Sequence, residues 1–191
     1  MTLETTNRGF DISSGGFDVP EGVTFTVKAP IRQESSAYKL GGGVLALGGS
    51  ICWGSNGTTT KAAYGQRTIV EEGGIMAASD NGVKDMYLVM SNDTAIVLSP
   101  GAGLTYGFTG TVMVPTGKVR IALDPAYENG DVAFSVPICT VPDDTLSDSF
   151  TLVRAKGFSA TIQTEEVMRD DVPCTRYSAC YQPVGLVLIV N

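Results

Sequence analysis

The sequence predicts an all-β protein, folded as a two-sheet β-sandwich or a jelly-roll-like domain with little helix. Many short apolar runs alternate with polar residues, which is typical of half-buried strands. Turn-forming residues separate these runs at intervals of about 8 to 12 residues. The composition, with 23 glycines and only 17% charged residues, favours turns and a lightly charged folded surface over disorder.

The clearest alternation lies at residues 23–29. Val23, Phe25 and Val27 fall on one face of an extended chain, and Thr24 and Thr26 fall on the other. We expect the first set to face a core.

Further strands are predicted at residues 44–47, 50–53, 86–90, 94–98, 110–114, 119–123, 132–136, 150–153, 158–163 and 184–190. Asn129-Gly130 lies between two of these runs and predicts a hairpin that joins residues 119–123 to residues 132–136. Helical patterns are limited to residues 61–79, which glycines interrupt, and residues 143–149.

Residues 1–20 are predicted to form an extended N-terminal arm, and residues 21–191 a single β-rich domain. The arm repeats a unit, Gly-Phe-Asp, that starts at Gly9 and again at Gly16. The repeat is too short for a solenoid unit. It indicates either two short extended pieces or an arm whose Phe10 and Phe17 contact a neighbouring subunit.

The run KLGGGVLALGGS matches a dinucleotide-binding fingerprint at Gly41, Gly43 and Ala46. That fingerprint requires a helix that opens on its last position, so that the phosphates meet free N–H groups. Gly48-Gly49 would interrupt such a helix. We therefore expect a strand, a glycine turn and a second strand, with no cofactor.

The chain contains no histidine, which excludes Ser-His-Asp and Cys-His catalysis by this chain alone. An enzyme would have to use carboxylates, Lys, Tyr or Cys. The four cysteines are Cys52, Cys139, Cys174 and Cys180, and they form no C-x-x-C pair. No metal site is expected. Reduced thiols are favoured, although Cys174 and Cys180 could close a small loop.

Charge and hydropathy restrict the partners and the location. The net charge of −7 and the absence of a basic run argue against nucleic acid and anionic membranes. The amino terminus lacks the pattern of a secretory signal, and no apolar run reaches the ~20 residues of a membrane helix. We expect a soluble protein made in a host cytoplasm.

Two apolar features are candidate contacts. Trp53 is expected in the core, or else beside Tyr38 and Tyr64 in a platform that stacks on a sugar. The run at residues 183–190 is uncharged and β-prone, and would be an aggregation hazard on an open edge. It is either a central strand or a strand completed by another copy, through Leu186, Leu188 and Val190.

By elimination, the sequence predicts a non-enzymatic structural protein that belongs to a larger assembly. The expected setting is a virion, as a bacteriophage capsid decoration or tail protein whose partners are other copies of itself and other particle proteins. Its acidity favours an outer position, away from packed phosphates. The alternatives are a carbohydrate-binding β-sandwich and, third, an enzyme that depends on carboxylates or cysteine.

Overall fold

The computed structural model describes residues 2–3, 10–48, 51–53, 67–79, 86–99, 108, 111–127, 132–142, 146–169 and 171–184. Within these ranges the chain forms β-strands and two short 3-10 turns, with no α-helix. The all-β prediction is confirmed. The strands are β1 Thr2–Leu3, β2 Phe10–Ile12, β3 Gly15–Asp18, β4 Thr24–Val27, β5 Ile31–Gln33, β6 Ala37–Leu40, β7 Val44–Leu47, β8 Ile51–Trp53, β9 Thr68–Val70, β10 Gly74–Ala77, β11 Tyr87–Met90, β12 Ala95–Leu98, β13 Val112–Pro115, β14 Val119–Leu123, β15 Phe134–Val141, β16 Phe150–Leu152, β17 Phe158–Arg169 and β18 Val172–Pro183.

Three of the four sheets are parallel. Sheet 1 has the order β1-β4-β7-β10-β12-β14-β16, sheet 2 has β2-β5-β8, and sheet 3 has β13-β11-β9-β6-β3. The fourth, which we call the C-terminal sheet, is antiparallel with the order β15-β18-β17.

The chain visits the parallel sheets in turn and then returns to the first, so β1 to β9 trace three successive coils. Each strand pairs with the equivalent strand of the next coil, as Thr24 does with Val44. This winding is that of a parallel β-solenoid. It differs in strand direction from the expected sandwich or jelly roll, whose neighbouring strands run antiparallel. An alternating sequence fixes which face is buried but not the direction of the partner strand.

The interior consists of in-register ladders of apolar side chains. Along sheet 1 one ladder runs through Phe25, Leu45, Ile75, Ile96, Ile121 and Leu152. Its four central members are buried and belong to the hydrophobic core. Stacking of like residues at each coil removes apolar surface from water at every level of the solenoid. The alternation predicted at residues 23–29 is confirmed in part: Val27 is buried and Thr24 is exposed, but Val23, which was expected to face the core, is 37% exposed.

The corner between sheet 3 and sheet 1 is a stack of tight turns. Gly22, Gly41, Gly73 and Asp93 occupy it in four successive coils with positive φ angles of 75°, 74°, 66° and 61°. The glycines at residues 41–43 therefore serve the backbone. Strands β7 and β8 follow them, which confirms the two predicted strands in place of a helix, whereas Gly49 of the predicted turn lies outside the described residues.

Lys39 connects two successive coils at this corner through hydrogen bonds. Its side chain is buried, and its ammonium group donates hydrogen bonds to the carbonyl oxygens of Gly41 and Glu72, the latter at 2.9 Å. Burial lowers the pKa of Lys39, while the carboxylates of Glu72 and Asp18 oppose that shift. The two hydrogen bonds offset part of the cost of burying a charged group inside the solenoid.

The C-terminal sheet packs on the last coils through aromatic side chains. Tyr177 of β18 meets Phe150 of sheet 1 edge-on, with ring centroids 5.6 Å apart, and within the C-terminal sheet Phe134 stacks on Tyr181 at 5.0 Å. The Tyr177 hydroxyl accepts a hydrogen bond from the Leu146 N–H at 3.2 Å. These residues share one core cluster with the solenoid, so the sheet covers that end of it.

Two local predictions are wrong. The hairpin around Asn129-Gly130 does not form, because β14 pairs with β12 and β16 while β15 pairs with β18. Residues 68–70 and 74–77, inside the stretch with a helical pattern, are strands, since both belong to ladders of the solenoid.

Cys139, Cys174 and Cys180 are free and buried. Cys174 and Cys180 lie on the same strand, which separates them by about 20 Å at about 3.3 Å per residue. A disulfide requires Cα atoms within ~7 Å. The loop that they could have closed is therefore not formed, and the preference for reduced thiols is confirmed for these three.

Residues of the predicted N-terminal arm pair with the rest of the chain. Strands β1, β2 and β3 pair with β4, β5 and β6, one in each parallel sheet. The two Gly-Phe-Asp units thus fall on successive sides of the first coil. A contact of this segment with a neighbouring subunit stays a prediction.

Candidate interaction surfaces

Sheet 3 has an apolar outer face. Alternation buries Ala37, Lys39 and the residues aligned with them, so the intervening side chains point away from the core. On β6, β9, β11 and β13 the outer face of sheet 3 is formed by Tyr38, Leu40, Ile69, Tyr87, Val89, Val112 and Val114, which are all apolar or aromatic. On β3 the face continues with Gly16 and the exposed Asp18, which align with Tyr38 and Leu40.

These side chains form a continuous column across four strands. Tyr38 aligns with Ile69, Ile69 with Val89, and Val89 with Val114. Tyr38 is 40% exposed and Val114 is 38% exposed, and the two residues between them are half-buried. At about 4.8 Å per strand the column is about 14 Å long.

A cation lies at the margin of the outer face of sheet 3. The guanidinium of Arg67 lies 5.4 Å from the centre of the Tyr87 ring, within the range of a cation–π contact. The alkyl stem of such a residue can extend an apolar surface while its charge stays in water.

Sheet 1 presents a different outer face. The exposed residues within its described strands are Thr24, Arg120 and Thr151, which are all polar. Solvated sheets normally carry polar residues in this position. Three half-buried outward residues of sheet 1, Val44, Met76 and Val97, are apolar. Sheet 3 differs because its exposed residues include the large side chains of Tyr38, Leu40 and Val114, so its outer face is the one that resembles an interface.

The sequence contained a signal for this surface. Strands β9, β11 and β13 read TIV, YLVM and VMVP, which are apolar at both the inner and the outer positions. Runs that are apolar on both faces are typical of strands covered on both sides. Of the seven residues, sequence reasoning had singled out Tyr38 alone.

Of the predicted subunit contacts, Phe17 is described in full. Its ring is half-buried and packs on Phe25, with ring centroids 5.9 Å apart. Phe10 lies on β2, but its side chain is outside the described residues. So are the three candidates of the C-terminal run, Leu186, Leu188 and Val190.

The predicted sugar platform is not brought together by strand pairing. Trp53 lies on β8 of sheet 2, aligned with Gln33, whereas Tyr38 lies on β6 of sheet 3. Tyr64 and the side chain of Trp53 are outside the described residues. Tyr38 is therefore the described member of this platform.

A second candidate surface is the free edge of the C-terminal sheet. Strand β17 pairs with β18 along its whole length, and no other strand pairs with it in the described part of the chain. Residues 163–166 of β17 are exposed at four successive positions, which means on both faces. The Glu165 carboxylate lies 3.4 Å from the Arg176 guanidinium on β18.

Among the described residues, the titratable groups with displaced pKa values, apart from Lys39, lie in the C-terminal sheet. Burial raises the pKa of the Cys139 thiol to about 12 and that of the Tyr181 hydroxyl to about 12. Both groups therefore stay protonated at neutral pH. A protonated, buried thiol is a poor nucleophile.

An open depression of about 490 Å³ lies beside the C-terminal sheet, and Arg154, Lys156, Phe158 and Val184 are among the residues that line it. The described ranges hold no group of three or more metal-ligating side chains. Nor does any helix among them have the length and apolar character to span a bilayer.

Comparison of the chain with known protein families, with curated proteins and with solved structures found no match.

Proposed function

We propose that this protein is a non-enzymatic structural component of a larger assembly, and that the assembly is a virion. Its place there would be that of a bacteriophage capsid decoration or tail protein. The observation that carries the proposal is the apolar outer face of sheet 3, because contiguous apolar surfaces of this kind are often sites of protein–protein contact.

The size of the face sets the strength expected of one contact. Four strands at about 4.8 Å and three residues at about 3.3 Å give roughly 200 Å². At about 25 cal/mol per Å², burying it on this side contributes about 5 kcal/mol. Association itself costs at least about 4 kcal/mol. One such contact is weak, so a stable complex needs several contacts at once, as in a particle that carries many copies.

The net charge of the protein and its shared hydrophobic core are consistent with this role. The net charge of −7 suits a position on the outside of a particle, away from packed nucleic acid. The coils share one hydrophobic core, which supplies a firm support for the contact face. The buried, protonated Cys139 supports a structural role over cysteine catalysis.

The test is to place charge on the outer face of sheet 3. The double variant Tyr38→Glu, Val114→Glu is expected to fold, because both side chains lie on the outer face and reach solvent, and to lose assembly. The control is Thr151→Glu, which alters an exposed residue of sheet 1. Native mass measurement and imaging of particles with bound protein would follow assembly, and circular dichroism would follow the fold.

Wild-type protein and the control should form a closed homo-oligomer or bind a pre-formed particle. The proposal fails if wild-type protein is strictly monomeric and indifferent to every shell and tail. It also fails if the double variant assembles as well as the control does.

A carbohydrate-binding function is the second candidate, and the exposed ring of Tyr38 is the observation that favours it. An exposed aromatic ring on a flat sheet can stack on a sugar. Glycan-array binding that disappears in Tyr38→Ala or Trp53→Ala and survives in Leu40→Ala would support it. Absence of binding to every glycan on the array would rule out the carbohydrate-binding function.

A further inference from the structure

We propose that β17 pairs in antiparallel fashion with β17 of a second copy, which joins two C-terminal sheets into one sheet of six strands. This inference rests on the proposed assembly function and names one of its partners. Three features support this pairing: the long, regular edge strand, the exposed tip of the β17–β18 hairpin, and the order of charged residues along β17.

The edge lacks most of the devices that normally prevent pairing, and the charged residues that it carries are Glu165, Glu166 and Arg169. Natural edge strands are short, bulged, or interrupted by proline or lysine. Strand β17 has 12 residues and contains neither proline nor lysine. Its register with β18 is continuous from Phe158 to Arg169. A long, regular edge of this kind is a template for another strand.

The tip of the hairpin extends past the third strand. Strand β15 stops pairing at Val141, opposite Thr175, so residues beyond that point form a ribbon of two strands. Met168 in this ribbon is 68% exposed and Val172 is 49% exposed. A ribbon of two strands is only marginally stable in water. A further strand along β17 would supply the backbone partners and the cover that the ribbon lacks.

The sequence of β17 is complementary to itself when the antiparallel pair is centred on Thr164, so that Thr164 of one copy faces Thr164 of the other. In that register Gln163 faces the partner's Glu165, so that an amide can donate to a carboxylate. Ala160 faces the partner's Met168, and Ser159 faces the partner's Arg169. Opposed residues in an antiparallel pair have Cβ atoms about 5 Å apart, so these contacts are direct.

Registers centred closer to the tip of the hairpin are less favourable. Centring the pair on Glu165 or Glu166 sets two carboxylates face to face, which is destabilising. Centring it nearer the tip leaves most of the edge unpaired. The Thr164 register pairs residues 159–169 and opposes no like charges, which is why a second copy fits this edge.

The experiment places charges on the two-fold axis of the proposed dimer, where the two copies of residue 164 face each other. Thr164→Lys and Thr164→Glu each bring two like charges together at the centre of the dimer, whereas an equal mixture of the two variants brings opposite charges together. Thr161→Lys is the matched control, because Thr161 is also exposed on β17 but faces the partner's Val167. Sedimentation equilibrium and native mass measurement would give the dimer fraction, with thermal unfolding to confirm the fold.

We expect wild-type protein and Thr161→Lys to dimerise. Each Thr164 variant alone should show a dimer dissociation constant raised about 100-fold, and the mixture should form a heterodimer. The inference is overturned if wild-type protein stays monomeric at the highest attainable concentration, if Thr164→Lys dimerises normally, or if the mixture stays monomeric.

Particle binding distinguishes this inference from the proposed function. The variant Tyr38→Glu, Val114→Glu should keep the β17 dimer while it loses particle binding. If wild-type protein binds particles as a monomer and Thr164→Lys abolishes that binding, the edge accepts a strand of another protein. That result would overturn the second copy as the partner and leave the assembly function in place.

Discussion

Replacing Gly73 with alanine is expected to lower the free energy of unfolding by about 3 to 4 kcal/mol. Gly73 has a φ of 66°, which costs a residue with a Cβ atom about 1 to 2 kcal/mol. An added Cβ would also lie 2.6 Å from the Gly41 carbonyl oxygen and 2.5 Å from the Lys39 Nζ, and would collide with the Gly43 carbonyl oxygen. Urea unfolding followed by circular dichroism would measure the loss.

Gly22 supplies the matched control. It occupies the same corner with a φ of 75°, but a Cβ built on it meets nothing within 4 Å. Gly22→Ala should therefore cost only the backbone penalty of about 1 to 2 kcal/mol. Equal losses for the two variants would mean that the corner is not a close-packed stack of turns.

Replacing Ile96 with alanine is expected to cost about 3 to 4 kcal/mol. Ile96 is fully buried in the middle of the inner ladder of sheet 1, between Ile75 and Ile121. Removing three carbon atoms there leaves a cavity whose walls are held in place by coils above and below. The midpoint of urea unfolding should fall without a change in slope.

The neighbouring residue is the control for this substitution. Val97 points outward from the same strand and is half-buried. Val97→Ala should cost less than about 1.5 kcal/mol, because the side chain can be replaced by water. A loss at position 97 as large as that at position 96 would contradict the assignment of inner and outer faces.

The strands were predictable from the sequence because alternation is a local property. The partners of those strands were not predictable in the same way. The turn residues between β14 and β15 indicated a hairpin, yet β14 pairs Arg120 with Thr151 on β16, far along the chain. A hairpin signal fixes a local turn, whereas burial of the inner ladder decides which strands meet.

The repeat of the solenoid could not be recognised in the sequence because its coils differ in length. Thr24 and Val44 are aligned in successive coils, as are Val44 and Gly74, although the second pair is farther apart in sequence. The extra residues fall between β8 and β9, so no single repeat length runs along the chain. Aligning the turns at Gly22, Gly41 and Gly73, each a few residues before an apolar strand, would have revealed it.

The candidate surfaces were only partly predictable. Tyr38 was recognised because it is an aromatic residue that could join Trp53 in a stacking platform, whereas Ile69 and Val89 resemble ordinary core residues until their register is known. The edge of β17 required the strand order, which depends on contacts distant in sequence.

The unequal coils have a consequence for how such a protein can change. Because the strand register is kept across a coil of a different length, a corner can accept extra residues without disturbing the levels above and below it. Peptides grafted between β8 and β9 should then be displayed on an unaltered scaffold. Residues inserted at such corners could bind new partners while the strands and the core of the protein stay the same.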